Sequence, residues 1–224
     1  MPRIARAVMV GFPHHVIQRG NNRDKVFFDK KDREKYLLLL KKYADKWGSP
    51  ILTYCLMSNH VHLLTRPKEE KSLYKMMQAV TLCYTQYINR KFKRTGRLWE
   101  SRYQSCIVDK ETYLWAVARY IEQNPARAKI VKKVEDFPYS SARTHIKGIR
   151  DEVLGEDLFD EGQRKDYREF LRAGIPEEEK NRIRYSTRTG RPFGSETFAR
   201  SMEKKLDRRF ILRLPGRPRK KEGK

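Results

Sequence analysis

Asn59-His60-Val61-His62-Leu63-Leu64 places two imidazoles one residue apart within an apolar run. Side chains alternate faces along a strand, so His60 and His62 point the same way while Val61 and Leu63 point into the core. Two imidazoles on one face can share a divalent metal, and the strand fixes their separation. The chain has only five histidines, so this pairing uses two of few. Further along, Tyr113, Val117, Tyr120 and Asn124 recur at the spacing of one helical face, beside an apolar stripe of Leu114, Ala118 and Ile121. Tyr120 and Asn124 are one turn apart, so a phenol and an amide approach the same point. An amide oxygen is a hard ligand. With two histidines it makes a mixed three-ligand site with open positions, suited to Mg²⁺ or Mn²⁺ and with room for a phosphate oxygen. A tyrosine beside that site points to nucleophilic attack on a DNA phosphodiester through a covalent intermediate. Phenols ordinarily titrate near ~10, and a metal that polarises the phosphate supplies the activation they lack.

The elements that must hold these groups follow from the pattern. His14-His15-Val16-Ile17-Gln18-Arg19 reads as a strand ended by the turn Gly20-Asn21-Asn22. Asp32 caps a helix from about Arg33 to Trp47, with Tyr36, Leu39, Leu40, Tyr43 and Trp47 along one stripe. Ile51 to Met57 and His60 to Thr65 form a hairpin around Ser58-Asn59. A second helix runs from Ser72 to about Lys93, and Gln104 to Val108 is the last strand. Asp109 caps a third helix, which Pro125 stops. The order β-α-β-β-α-β-α predicts an α+β fold, a ferredoxin-like or RRM-like antiparallel sheet with helices on its faces.

Beyond Pro125 the texture changes. Short helices are predicted near Ser141 to Ile146, Gln163 to Leu171, Pro176 to Arg184 and Ser195 to Leu206. The last two flank Thr189-Gly190-Arg191-Pro192 in the manner of a helix-turn-helix. We therefore divide the chain into a catalytic region, 1–147, and a helical, basic, DNA-binding extension, 148–224. The tail segment Pro215-Gly216-Arg217-Pro218-Arg219-Lys220 resembles an AT-hook core, whose arginines fit a narrow A·T minor groove. A solvated basic tail is the alternative reading.

Lys and Arg number 51 against 28 Asp and Glu, a formal charge of +23 over 224 residues. That excess calls for a polyanionic partner, although charge alone does not separate DNA, RNA and a membrane surface. No run approaches the ~18 apolar residues of a membrane span, and Met1-Pro2-Arg3-Ile4-Ala5-Arg6 lacks the apolar core of a secretory signal. A cytoplasmic, nucleoid-associated protein with no membrane partner and no small-molecule cofactor is expected. Cys55, Cys83 and Cys106 form no C-x-x-C pair, so reduced thiols are expected rather than zinc or disulfides. Lys91, Lys93, Arg94, Arg97, Arg102 and Arg119 concentrate before and within the tyrosine-bearing helix, where together they would track a nucleic-acid backbone. Phe12, Tyr54 and Phe92 suit either base stacking or core packing.

His60-Val61-His62 resembles the HUH motif of the single-tyrosine (Y1), IS200-like transposases, and Arg119-Tyr120-Ile121-Glu122-Gln123-Asn124-Pro125 resembles their nucleophile helix. Gly20-Asn21-Asn22-Arg23 after a His15-bearing strand, and Asn124-Pro125 at the helix end, are most similar to the REP-associated tyrosine transposases. The resemblance covers roughly Pro2 to Lys147. It implies the HUH endonuclease fold, His60 and His62 as metal ligands and Tyr120 as nucleophile. It further implies a 5′-phosphotyrosine link with a free 3′-OH, formed beside imperfect hairpins in single-stranded DNA. The family's third ligand is commonly a glutamine four residues after the tyrosine. Here that position is Asn124, one methylene shorter, with Gln123 one residue off the face as second choice. Tyr113 and then Tyr103 compete with Tyr120 for the role of nucleophile. The candidate DNA-binding set is Arg19, Asn21, Arg23, Arg94, Arg97, Arg102, Arg119, Arg217 and Arg219. The insertion-sequence relatives work as dimers that share active sites, whereas the REP-associated branch resembles a monomer, which the longer tail here favours. A non-catalytic hairpin-DNA or RNA binder that keeps the fold is the competing function. Intact His60, His62 and Tyr120 argue against it.

Overall fold

Strand β1 (His14–Arg19) lies inside a sheet with β2 (Ile51–Leu56), β3 (His60–Thr65) and β4 (Gln104–Ile107) in a computed structural model that describes residues 6–109 and 113–210. The strand order is β2-β3-β1-β4 and every neighbouring pair is antiparallel. With α1 (Lys30–Lys46) and α2 (Ser72–Lys91) as the crossovers, this is the ferredoxin-like arrangement expected from the sequence. The two helices cover one face, where Tyr36, Leu40, Leu73, Met76 and Tyr84 pack on Val16, Val61 and Leu63. The other face receives α3 (Leu114–Glu122), whose Val117, Ala118 and Ile121 pack on Leu52, Leu64 and Cys106. Both faces are therefore buried, and the period of two along β3 sends Val61 and Leu63 one way and His62 and Leu64 the other.

Local details depart from the sequence reading. Asp29, not Asp32, caps α1. The Asp29 side chain accepts from Asp32 N, and Asp32 answers by accepting from Asp29 N in a capping box. Asp32 is itself fully buried and takes the Tyr87 hydroxyl at 3.1 Å and Lys91 Nζ at 2.6 Å, tying α1 to α2. Lys91 also meets Asp29 at 2.7 Å, so this lysine is neutralised and is not a free backbone contact. The N-cap residue of α3 is Tyr113, not Asp109, whose backbone N–H donates to Phe193 O at 2.9 Å. Pro125 does not merely stop a helix. It sits in the first turn of α4 (Asn124–Arg127), where the missing N–H leaves no bond unmade.

The chain beyond Lys147 buries the same core as the chain before it. Helices α5 (Ala142–Lys147), α6 (Arg164–Arg172), α7 (Glu177–Thr189) and α8 (Glu196–Lys205) follow α4. Tyr167, Leu171, Ile183 and Phe193 share one apolar cluster with Val117 and Ile121. Helix α7 lies against β4 and β1, its Ile183, Ser186 and Thr187 buried. The turn after it is pinned to the end of β4 by a 2.7 Å bond from Phe193 N to Ile107 O. The helix read as half of a helix-turn-helix thus has its inner face committed to the sheet. No helix among the described residues is long and apolar enough to cross a membrane. The AT-hook-like tail with Arg217 and Arg219 lies outside the described residues.

Candidate active site

Strand register assembles the site. On the face away from α1 and α2, β1 pairs Ile17 with His62 and Arg19 with His60. Directly opposite residues in an antiparallel pair share a face, so His60, His62, Ile17 and Arg19 point together, with His15 one step further along β1. The third wall is α3, whose Tyr120 ring lies 5.6 Å from the His62 ring and 5.7 Å from the His15 ring, both edge-on. The rings of His60 and His62 are 5.0 Å apart. His60, His62, Tyr120 and Asn124 line one cleft of about 390 Å³, together with Arg19, Arg102, Arg184 and Arg188 and, among the described residues, a single carboxylate, Glu100.

The imidazoles are held neutral. Burial, with Arg19 and Arg127 adding to it, lowers His60 to about 4. Burial first, and then the neighbouring His60, His15, Arg127 and Arg19, pushes His62 well below its usual value. His60 Nδ1 lies 2.7 Å from Asn59 Oδ1, and Asn59 Nδ2 donates to Arg23 O at 2.8 Å. That second bond fixes which end of the amide faces His60, so His60 Nδ1 carries the hydrogen and Nε2 is its free lone pair. His62 Nδ1 is also engaged, 3.1 Å from His15 Nε2.

Asn124 is buried and braced. Its Nδ2 donates to Tyr120 O and Ile121 O, each at 3.0 Å, and its Oδ1 accepts from Arg127 Nη2 at 2.7 Å. Arg127 also donates to Tyr120 O at 2.9 Å, and its guanidinium carbon lies 4.5 Å from the Tyr120 ring centre. Two neutral imidazoles and an amide oxygen with a second lone pair fit a hard or borderline divalent ion. Gln123 does not join them. Its amide donates to Leu171 O, toward α6.

Other expected residues divide. Arg19 and Arg102 line the cleft. Asn21 and Arg23 occupy a one-turn 3-10 segment after β1, where Gly20 is needed because a Cβ would lie 2.3 Å from Asp24 O. Arg94 and Arg97 lie in the loop between α2 and β4, with Arg94 donating to Arg97 O. Arg119 does not reach a DNA-facing surface. It is 6% exposed, paired with Glu179 at 2.7 Å and stacked over Phe170 at 3.8 Å. Tyr113 packs edge-on against Phe193, and Tyr103 lies under the Arg6 guanidinium. Tyr54 is core, with its hydroxyl on Asp151, and Phe92 pairs with Phe28.

Sequence reasoning passed over Thr187, Arg127, Arg184 and Arg188, and from sequence His15 suits either a place near the site or simple packing. For His15 the signal was present in the alternation His15, Ile17, Arg19, since one strand face carries all three. For the α7 arginines no local signal existed, because only tertiary packing brings that helix to the cleft.

Comparison with known proteins gives a consistent picture. The family described as IS200-like transposase matches residues 9–124. A relative from Haemophilus influenzae assigned as a REP-associated tyrosine transposase is 25% identical over 131 residues, covering 52% of this chain and 70% of the relative. The solved structure of a REP-associated tyrosine transposase bound to a REP hairpin has a TM-score of 0.56 at 17% identity, covering 71% of this chain and 94% of that one.

Proposed function

The chain belongs to the IS200-like transposase family, and from that premise we propose that it cuts and transfers single-stranded DNA beside hairpins, with Tyr120 as nucleophile. The observation that carries the reading is the convergence of His60, His62, Tyr120 and Asn124 on one arginine-lined cleft from three separate elements. Hairpin DNA as the substrate is supported by the hairpin bound to the solved relative.

His60, His62 and the Asn124 oxygen would hold Mg²⁺ or Mn²⁺, which when bound polarises the scissile phosphate and offsets charge on its oxygens. The remaining steps belong to side chains. Arg19, Arg102, Arg184 and Arg188 draw the strand into the cleft and neutralise neighbouring phosphates. Arg127 holds the Tyr120 ring and the Asn124 amide in one orientation. The Tyr120 oxygen attacks phosphorus as its proton passes to water in the cleft. The bond from phosphorus to the 3′ oxygen breaks, and that oxygen takes up a proton. The products are a 5′-phosphotyrosine and a free 3′-OH, and attack by a 3′-OH on the phosphotyrosine reverses the step and joins strands. Acting on DNA places the protein in the cytoplasm with the nucleoid, and a monomer carries every residue named.

The test is a denaturing gel of the protein with labelled single-stranded hairpin DNA and Mn²⁺ or Mg²⁺. A protein-linked DNA band that disappears in Tyr120→Phe or on chelation of the metal is expected. A Tyr120→Phe protein that still forms the adduct would remove the nucleophile assignment. Tight hairpin binding with no adduct under either metal would leave a binding protein instead.

A further inference from the structure

We infer that Thr187, acting through His15, is a positioning residue that holds His62 as its Nδ1–H tautomer and so leaves the Nε2 lone pair to the cleft. The inference rests on the metal-site reading above and deepens it. It concerns what stands behind one proposed ligand.

The chain of contacts is short and buried. His62 Nδ1 lies 3.1 Å from His15 Nε2, and His15 Nδ1 lies 2.8 Å from Thr187 Oγ1. All three residues are at most 3% exposed. Ring positions alone allow the hydrogens to run in either direction along this chain. Thr187 decides between them. Its hydroxyl donates to the Ile183 carbonyl at 2.9 Å, and a carbonyl only accepts. A hydroxyl has one hydrogen, so toward His15 the Thr187 oxygen is the acceptor and His15 Nδ1 is the donor. His15 is fully buried among Thr187, His62 and the edge of Tyr120, none of them a carboxylate that could balance an imidazolium, so it is a neutral ring whose Nε2 is a lone pair. That lone pair accepts from His62 Nδ1–H. His62 Nε2 is then unprotonated, the form a metal requires.

The reverse direction has Thr187 donating to His15 and His15 donating to His62. It forfeits the Thr187 bond to Ile183 and moves the hydrogen onto His62 Nε2, closing that atom to a metal. The two arrangements differ by one buried hydrogen bond. Cys106 Sγ, 3.4 Å from Thr187 Oγ1, can donate to the oxygen's other lone pair in the favoured arrangement. Thr187 belongs to α7, beyond the 9–124 segment that matches the family. The extension thus supplies part of the support for the site.

The experiment is a long-range ¹H–¹⁵N correlation spectrum of the metal-free full chain, beside Mn²⁺ affinities read from the electron paramagnetic resonance of the free ion. The wild type and Thr187→Ser are expected to show His62 protonated at Nδ1 and bare at Nε2. Thr187→Val, which keeps the shape but removes the hydroxyl, is expected to show mixed tautomers and to bind Mn²⁺ roughly 10-fold or more weakly. A hydrogen on Nε2 of wild-type His62 overturns the proposal, and that spectrum decides the matter even where Thr187→Val fails to fold. An unchanged His62 tautomer in folded Thr187→Val also overturns it. The expected tautomers with no Mn²⁺ bound by the wild type would uphold the relay and remove the metal reading on which its purpose rests.

Discussion

At the scale of single residues the site is governed by which atoms are already engaged. His60 Nδ1 faces Asn59 and His62 Nδ1 faces His15, so each ring has Nε2 left for the cleft. The Asn124 amide is tied on three sides. Arg127 is the shared brace, bonding both the Tyr120 carbonyl and Asn124 Oδ1 while its guanidinium covers the tyrosine ring. Replacing it by methionine keeps an apolar stem of similar length but removes the donors and the charge. Arg127→Met is therefore expected to slow formation of the covalent adduct roughly 10–100-fold, the usual effect of losing a partner that orients a ligand. Single-turnover cleavage measures this, with thermal unfolding as the control for fold. An unchanged rate would mean that nucleophile and amide hold their places without the arginine. The residues proposed to carry the chemistry could be grouped from the sequence because their spacing is local: two apart on a strand, four apart on a helix. Arg127 was not, since three residues after Asn124 it lies across a Pro125 that reads as the end of the helix.

At the scale of elements the sheet and its crossovers were legible because burial on one side of α1 and α2 leaves a clear helical period, and turn residues bound the short apolar runs of the strands. Boundaries were less so. Asp29 and Asp32 are both good capping residues one turn apart, and the capping box uses both, which shifts the start of α1 by three residues. The site further depends on α3 being held at a fixed height over the sheet, and one buried carboxylate does much of this. Glu122 is fully buried and accepts from Ser141 Oγ at 2.5 Å, His145 Nδ1 at 2.6 Å and Tyr167 OH at 2.9 Å. It thereby joins α3 to α6 and to α5 with its preceding residue. Glu122→Ala leaves His145 and Tyr167 without their buried acceptor and Ser141 with only the longer bond to Tyr54 O, and is expected to destabilise the protein by roughly 3–5 kcal/mol. Tyr167→Phe removes one bond of the three and is expected to cost about 1 kcal/mol. Urea unfolding of both variants measures the difference. Equal small losses would mean that the apolar contacts of α3 fix its position and that the carboxylate is incidental.

At the scale of the whole molecule the excess of positive charge was legible as a number but not as a surface. Lys91 is neutralised by Asp29 and Asp32, and Arg119 by Glu179, so both leave the expected DNA-facing set. In their place α7 brings Arg184 and Arg188 to the same cleft as Arg19 and Arg102. Half of the cleft's arginines thus come from beyond residue 147, and a strand entering the site would touch the extension as well as the sheet. Four phosphate contacts on a single strand correspond to a slope of about −3 in log affinity against log salt. Replacing both Arg184 and Arg188 by alanine is expected to flatten that slope by about 1.4 while weakening binding to hairpins of unrelated sequence alike. Fluorescence anisotropy with labelled single-stranded hairpins over a salt series reads both quantities. A double variant with the wild-type slope would mean that the DNA backbone runs along the β1 side of the cleft and never meets α7. Weakening confined to one hairpin sequence would instead make these two arginines readers of bases rather than of phosphates.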